Sequence, residues 1–365
     1  MNTDRRRFIQ STAALAAAGA APWALAADVS RRFDPRPGAW RTFEVTTRAD
    51  VEQGEGALQL WLPIPSVNTG WQQSLDSSFT SNGQARIVSD NVEGARMLHV
   101  QFAAGTKNPY AEITSRVQTR NRATDWGRHA AAPEDAATLA HYLRPTALIP
   151  TDGIVHKTAL KAVGSAKADH EKAQRIYDWV VANAWREPEV RGCGEGDIKT
   201  MLETGNLGGK CADLNALFVG LCRSVGVPAR DLYGLRLAPS EFGYRELGGN
   251  PASLKGAQHC RAEVYLRDHG WTAMDPADVA KVMRQETPQW IRDLNHPLVT
   301  PVRQALFGGW EGNWVAFNTA HDVALPGSKR GKLGFLMYPV GEDAQGRFDS
   351  YTPDLFKYTI KAKEV

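Results

Sequence analysis

One cysteine stands where its thiol could act as a nucleophile. In the stretch GGKCADLNALFVGLC, Cys211 follows two glycines and Lys210 and precedes an amphipathic run. The glycines allow a sharp turn, and a cysteine in the first turn of the following helix meets unpaired backbone N–H groups that stabilise a thiolate. Lys210 adds a positive charge, and the N–H of Cys211 is a natural oxyanion donor. The pattern favours an activated thiol; half of a disulfide, a metal ligand and core filling are the other uses of a cysteine here.

A thiol nucleophile needs a general base and a group that orients the base, and a predicted hairpin offers both. The stretch QHCRAEVYLRDHGWTAMDP has the pattern of two strands around a polar turn. A turn closed by Leu266 and Gly270 or Trp271 sets the register. His259 then lies near a diagonal neighbour of Asp275, within reach if both face the same way, whereas a slip of one residue would separate them. His259 is the candidate base and Asp275 the candidate orienting group.

The other three cysteines have plainer interpretations. Cys222 lies one turn beyond Phe218 on the apolar face of the same helix and is expected to fill the core. Cys193 lies in a Gly-rich loop and Cys260 on the histidine strand, and in an oxidising compartment these two could form a disulfide. The sequence has no C-x-x-C pair and no histidines at helical ligand spacing, so we predict no metal site and no cofactor.

The elements that must position these residues change type along the chain. Residues 40–117 contain β-branched and aromatic runs with partial alternation, separated by Gly, Asn and Pro, which predicts an antiparallel β-sandwich or an open barrel. A helical pattern follows at residues 169–185. The apolar spacing i, i+3, i+4, i+7 then predicts one buried helix over residues 214–225, ended by Gly226 and Pro228.

The first residues have the pattern of a twin-arginine export signal. Three arginines from Arg5 to Arg7 precede an Ala-rich run, and small residues up to Ala26 suit a signal peptidase. The run is too short and too rich in alanine to span a membrane. We therefore expect residues 1–26 to be removed and the mature protein to be periplasmic or secreted, without a membrane partner.

Composition narrows the class of protein further. Of the 365 residues, 42% are hydrophobic and 23% are charged, as is usual for a globular chain. The 43 basic and 40 acidic residues leave a formal charge of +3, and no basic stripe is present. These values argue against a nucleic-acid partner. The length favours two domains.

The order of cysteine, histidine and aspartate resembles the transglutaminase-like superfamily, a branch of the papain-like fold. GGKCADLNALFVGLCRSVGVPAR is similar to its nucleophile helix, QHCRAEVYL to its histidine strand and GWTAMDPAD to its aspartate strand. By this resemblance Cys211 is the nucleophile, His259 the general base and Asp275 its partner. Asn215 departs from the small residue that is commoner at its position. Asn206 is a candidate for the side-chain oxyanion donor, or a simple turn residue.

The resemblance implies an α+β fold. We expect residues 27–130 to form an N-terminal antiparallel β-sandwich domain and residues 131–365 a transglutaminase-like catalytic domain, with its core at about 155–285 and a C-terminal β extension. The implied activity is thiol-dependent hydrolysis of a peptide or protein amide through an acyl-enzyme. Transglutaminase-type transfer of the acyl group to amines is the alternative, and a binding module without catalysis is the competing class. The sequence leaves the substrate and the oligomeric state open.

Overall fold

The computed structural model describes residues 31–52, 56–90, 92–129 and 131–365, so the predicted export signal at 1–26 lies outside the described residues. The strands are β1 Arg41–Asp50, β2 Leu58–Pro63, β3 Gln72–Ser81, β4 Gln84–Ser89, β5 Arg96–Phe102, β6 Tyr110–Thr119, β7 Arg122–Ala123, β8 Trp185–Arg186, β9 Gly208–Gly209, β10 Ala229–Arg236, β11 Gln258–Leu266, β12 Gly270–Met274, β13 Gly309–Trp310, β14 Trp314–Asn318, β15 His321–Val323, β16 Leu333–Phe335, β17 Val340–Glu342 and β18 Tyr358–Glu364. The helices are α1 Ala136–His141, α2 Gly153–Val163, α3 Asp169–Asn183, α4 Ile198–Thr204, α5 Cys211–Ser224, α6 Pro276–Gln285, α7 Thr300–Ala305 and α8 Pro353–Phe356, with a 3-10 turn at Arg245–Leu247.

The N-terminal strands form two antiparallel sheets. One sheet has the order β18-β1-β6-β3 and the other β17-β2-β5-β4. Along β1 the side chains of Phe43, Val45, Thr47 and Ala49 are buried while their neighbours are more exposed, as expected for a strand with one face against a core. Side chains of both sheets belong to one hydrophobic cluster. The predicted β-sandwich and the α+β class are confirmed.

The C-terminal strands complete these same two sheets. β18 pairs antiparallel with β1, so that Val45 faces Ala362, and β17 pairs with β2, so that Leu60 faces Gly341. The predicted C-terminal β extension therefore returns to the N-terminal strands and joins the two ends of the described chain.

The segment between these ends packs a central helix on a second sheet. The sheet has the order β12-β11-β10-β14. Helix α5 contacts β10 and β11 of this sheet as well as the helices α2, α3 and α6. All of its residues from Cys211 to Arg223 are buried, so the helix predicted to have one apolar face is enclosed on every side.

Helix α5 also begins earlier than its apolar pattern indicated. It starts at Cys211, three residues before the predicted Leu214, because the Asp213 carboxylate accepts a hydrogen bond from the N–H of Lys210 (2.8 Å) and caps the first turn. At the other end Gly226 takes a left-handed conformation, with φ of 82°, and ends the helix as predicted. Over the described part of the chain, no helix has both the length and the apolar character that a membrane span requires.

Candidate active site

Cys211 is the first residue of α5, and its surroundings hold it firmly. The glycines before it form β9, which runs parallel to β8 so that Arg186 lies opposite Gly209. The N–H of Ala212 donates to the carbonyl of Cys193 (2.9 Å). Only 3% of Cys211 is exposed. The thiol therefore sits at the positive end of a helix, in a position set by a short strand and a neighbouring loop.

His259 and Asp275 come together through the β11–β12 hairpin. Leu266 pairs with Gly270, the tighter of the two turns considered from the sequence. His259 Nε2 lies 2.7 Å from Asp275 Oδ2, and both residues are buried. Because Asp275 holds Nε2, the other ring nitrogen is the one left to exchange a proton with Cys211. The structure thus brings the three predicted residues together.

A second carboxylate, not singled out in the sequence, also faces the histidine. Asp278 Oδ2 lies 3.3 Å from His259 Nε2, and its Oδ1 accepts a hydrogen bond from Arg236 Nη2 (2.5 Å). Asp275 caps α6 by accepting from the N–H of Asp278 (3.1 Å), so the DPAD turn delivers both carboxylates. Arg261 Nε lies 3.4 Å from Asp275 Oδ2. The i, i+3 spacing of the two aspartates at a helix start was the available signal.

Asn215, the departure from the commoner family pattern, connects the three parts of the site. Its Nδ2 donates to the carbonyl of Cys260 (2.8 Å) and lies 3.4 Å from Asp275 Oδ1. The side chain is fully buried. Asn215 therefore ties the nucleophile helix to the histidine strand and to the aspartate, which a small residue could not do.

The predicted Cys193–Cys260 disulfide is not formed, since all four cysteines are free thiols. Cys193 Sγ donates to the carbonyl of Gln258 (3.3 Å) and accepts from the Tyr338 hydroxyl (3.0 Å). Cys222 is buried in the hydrophobic cluster, as predicted. Cys260 Sγ lies 4.0 Å from Met337 Sδ, so the two thiols that might have paired each contact other groups.

The environment favours a thiolate on Cys211. Burial alone would raise the pKa of this thiol, but hydrogen bonds from Cys193, Cys260 and His259, together with the charge of His259, bring its pKa well below the ordinary value. Lys210, which the sequence suggested as an activating charge, is not among these main causes.

The same environment favours an imidazolium on His259. Burial and the charge of Arg236 act to lower the pKa of His259, and the carboxylates of Asp278 and Asp275 outweigh both and raise it to about 9. The two shifts both favour a thiolate beside an imidazolium, which is the resting pair of a thiol nucleophile and its base.

One further sequence candidate and one cluster of potential metal ligands have structural explanations. Asn206 is exposed, and its Oδ1 accepts from the N–H of Gly208 (3.1 Å), so it acts as a turn residue. His259, Asp275 and Asp278 bring potential metal-ligand atoms within 4.8 Å of one another. Both carboxylates already pair with guanidinium groups and with the histidine, so their role is to orient and stabilise His259.

Comparison with known proteins places this arrangement in a family. An uncharacterized protein of Haemophilus influenzae is 34% identical over 343 residues, which is 88% of this chain and 91% of that protein. The crystal structure of a candidate cysteine protease from Cytophaga hutchinsonii superposes with a TM-score of 0.50 and 17% identity, over 90% of this chain and 99% of that chain. The periplasmic domain of TgpA from Pseudomonas aeruginosa gives a TM-score of 0.34 and 13% identity, over 71% and 96% of the two chains.

The segment that carries the candidate triad is also the segment that matches a family description. The sequence model of the Transglutaminase-like superfamily matches residues 156–276, which include the nucleophile helix, the histidine strand and Asp275. The fold, the order of the three residues and this match agree, and the chain belongs to the transglutaminase-like superfamily.

Proposed function

We propose that this protein is a thiol-dependent amide hydrolase whose catalytic residues are Cys211, His259 and Asp275. The observation that carries the proposal is the buried hydrogen bond of 2.7 Å between His259 and Asp275, beside a thiol at a helix N-terminus. A cysteine that only filled the core would need neither the oriented histidine nor its two carboxylates. These features favour an enzyme over a binding module.

The acylation step follows from this geometry. The Cys211 thiolate attacks the carbonyl carbon of the amide, and the negative charge moves to the carbonyl oxygen, which the N–H of Cys211 stabilises. His259 donates its proton to the departing nitrogen as the C–N bond breaks. An amine leaves, and an acyl group remains on sulfur.

Hydrolysis then restores the enzyme. Neutral His259 takes a proton from a water molecule, the hydroxide attacks the thioester, and the C–S bond breaks to give a carboxylic acid and the thiolate. Transfer to an amine requires that amine to enter the cleft, yet none of the described residues lining the cleft around Cys211 is acidic. Asp197, in the Gly-rich loop that carries Cys193, caps α4 through Thr200 and does not line the cleft. Water as the acceptor is therefore the proposed outcome.

The chemistry is tested by trapping the acyl-enzyme. Protein is incubated with pools of peptides, including glutamine-containing ones, and a labelled primary amine, and mass spectrometry finds the acyl group and its product. We expect acylation on Cys211 and mostly free acid, with no product from Cys211→Ala and most activity kept by Cys222→Ala. A product that is mainly amine conjugate would identify an acyltransferase. A folded protein with no acyl-enzyme and a slowly alkylated Cys211 would identify a binding module.

We also propose that the protein is exported by the twin-arginine route, on the strength of the arginines at the start of the chain. The double substitution Arg5→Lys with Arg6→Lys removes the paired guanidinium groups while keeping the charge. We expect this variant to accumulate in the cytoplasm, as measured by fractionation of cells, while Arg7→Lys alone is exported. Normal accumulation of the double variant outside the cytoplasm would contradict the proposal.

A further inference from the structure

The cleft that holds Cys211 and His259 is cationic. It has a volume of about 530 Å³, and of the described residues that line it none is Asp or Glu. The positively charged side chains that line it are Arg186, Lys210, Arg236, Lys255 and Lys281. Several like charges around a partly enclosed space create a potential that attracts the opposite charge. The charge of the residues that line the cleft therefore indicates which charge a bound substrate should carry.

Three of these cations already pair with carboxylates that do not line the cleft. The pairs are Arg236 with Asp278 (2.5 Å), Lys255 with Asp354 (2.5 Å) and Lys281 with Glu246 (3.4 Å). Such pairs contribute little net charge to the cleft, and the first of them belongs to the support of His259.

Arg186 and Lys210 differ from these three. Among the described residues no carboxylate lies within ion-pairing distance of either. Arg186 Nε donates to the side chain of Gln285 (3.1 Å), and its terminal nitrogens have no ion-pair partner among the described residues. Arg186 lies opposite Gly209 in the β8–β9 pair, one residue before Lys210, so the two cations flank the turn that leads to the nucleophile.

The positive charges of Arg186 and Lys210 also repel each other. Burial and then the charge of Arg186 lower the pKa of Lys210, and the opposing effects of the sulfur groups of Cys193 and Cys211 and of Glu189 are smaller. An anion bound between Arg186 and Lys210 would relieve this repulsion, because it would pair with both.

A buried amide in the same wall points to a ligand with hydrogen-bond acceptors. Gln258 is only 6% exposed, and its Oε1 accepts from the N–H of Gly256 (3.0 Å). Its Nε2 is buried, and no described atom accepts a hydrogen bond from it. Leaving a buried donor unpaired is unfavourable, so a bound acceptor would recover free energy at this position.

We infer that the cleft selects an acyl donor that carries a carboxylate close to the scissile amide, as an acidic or carboxyl-terminal peptide does. Arg186 and Lys210 bind the carboxylate, and Gln258 Nε2 donates to an acceptor on the same molecule. That the bound molecule is an acyl donor rests on the proposed hydrolase function, while the anion site itself does not depend on catalysis.

The charge preference can be measured at Cys211 without any substrate. Iodoacetate and iodoacetamide alkylate the same sulfur and differ in charge. The alkylation rate with iodoacetate divided by the rate with iodoacetamide therefore reports the local electrostatic potential. We expect the ratio for the protein to exceed that for glutathione, and to fall by about fivefold in the double variant Arg186→Gln with Lys210→Gln. The control Lys199→Gln, on α4 outside the cleft, should leave the ratio unchanged. The rate with iodoacetamide alone shows whether the double variant retains a folded site.

Binding is measured separately with the Cys211→Ala protein, which cannot turn over. The probes are acetyl-Glu-Ala-Glu and its uncharged counterpart acetyl-Gln-Ala-Gln-amide. Their binding is measured by calorimetry. We expect the acidic peptide to bind about tenfold more tightly, and the double variant to lose that difference. Equal binding of the two peptides, or an alkylation ratio that the double variant does not change, overturns the inference. An alkylation preference without amide hydrolysis would instead reject the proposed activity and leave the anion site in place.

Discussion

At the scale of single residues, the site depends on two carboxylates that face one histidine. Asp275 accepts the shorter bond from His259, and Asp278 adds a second negative charge that Arg236 holds in place. If only one carboxylate opposed the effect of burial, the pKa of His259 would be lower and the imidazolium less stable. The pair keeps His259 protonated beside a thiolate, which is the state required to protonate a departing amine.

This arrangement predicts the pH range of the active pair. The His259 pKa of about 9 lies above the value of about 6.5 for an unfolded chain, so its contribution to stability is complete below that lower value and is lost as pH rises towards 9. We expect the rate of iodoacetamide labelling at Cys211 to rise at a pH well below the usual thiol pKa, and hydrolysis to decline near pH 9. Rate profiles and an NMR titration of His259 measure these two limits.

A variant separates the two carboxylates. Asp278→Asn removes one of the charges that raise the His259 pKa and leaves Arg236 unpaired, so the alkaline limit should move to lower pH while the hydrogen bond to Asp275 persists. The comparison is Asp354→Asn, at the exposed edge of the cleft, which should not move it. An unshifted His259 in Asp278→Asn would show that Asp275 alone sets the pKa.

At the scale of elements, the start of α5 and the Gly-rich loop before α4 form one unit. The Asp213 carboxylate accepts from the N–H groups of Lys210 (2.8 Å), Glu195 (2.9 Å) and Gly196 (2.9 Å). Gly194 has φ of 87°, and a Cβ there would meet the Asp213 carboxylate at 1.7 Å, so this position requires glycine. One side chain thus holds both the nucleophile turn and the loop that carries Cys193.

Asp213→Ala tests that unit. The substitution removes the acceptor of three backbone donors, so we expect a loss of about 3 kcal/mol in the free energy of unfolding and a slower alkylation of Cys211, measured by urea unfolding and by labelling. The control Asp197→Ala removes the cap of α4 alone and should cost about 1 kcal/mol without changing the labelling rate. Wild-type labelling in Asp213→Ala would show that the helix start is held by other contacts.

At the scale of the whole molecule, the last strand connects the sandwich to the cleft. β18 pairs with β1 through its length and buries Tyr358 and Ile360. The carbonyl of Ile360 accepts from the N–H of Leu254 (2.8 Å), and the N–H of Ala362 donates to Pro251 (2.9 Å). Residues 251–254 belong to the loop that lines the cleft near Lys255. Strand β18 of the sandwich therefore holds in place a loop of the cleft.

Ile360→Ala should therefore act at two places. Removing most of a buried isoleucine side chain costs about 2–5 kcal/mol, and it loosens the strand that holds the loop. We expect lower stability together with faster hydrogen exchange at residues 250–256, measured by mass spectrometry. Lys361→Ala, at an exposed position of the same strand, should change neither. Unaltered exchange in the loop would mean that the strand stabilises the sandwich alone.

The parts of the site that depend on local patterns could be predicted from the sequence. Cys211 after a glycine turn, His259 and Asp275 on one hairpin, the alternating N-terminal strands and the apolar spacing of α5 are all encoded within short stretches. Their periodicity and turn residues restrict the backbone directly. The hairpin brings together two residues that are only 16 positions apart.

The features that join distant parts of the chain could not be predicted from the sequence and follow from the packing of the whole fold. Arg236 and Asp278 are 42 positions apart, Asn215 and Asp275 are 60 apart, and neither pairing has a local signature. The state of the cysteines also depended on side-chain packing, because Cys193 bonds to a carbonyl and a tyrosine in place of Cys260. The cationic cleft and the return of β18 to β1 arise from several segments at once. Periodicity fixes which face of an element is buried, but the identity of the neighbour follows from how all the elements pack together.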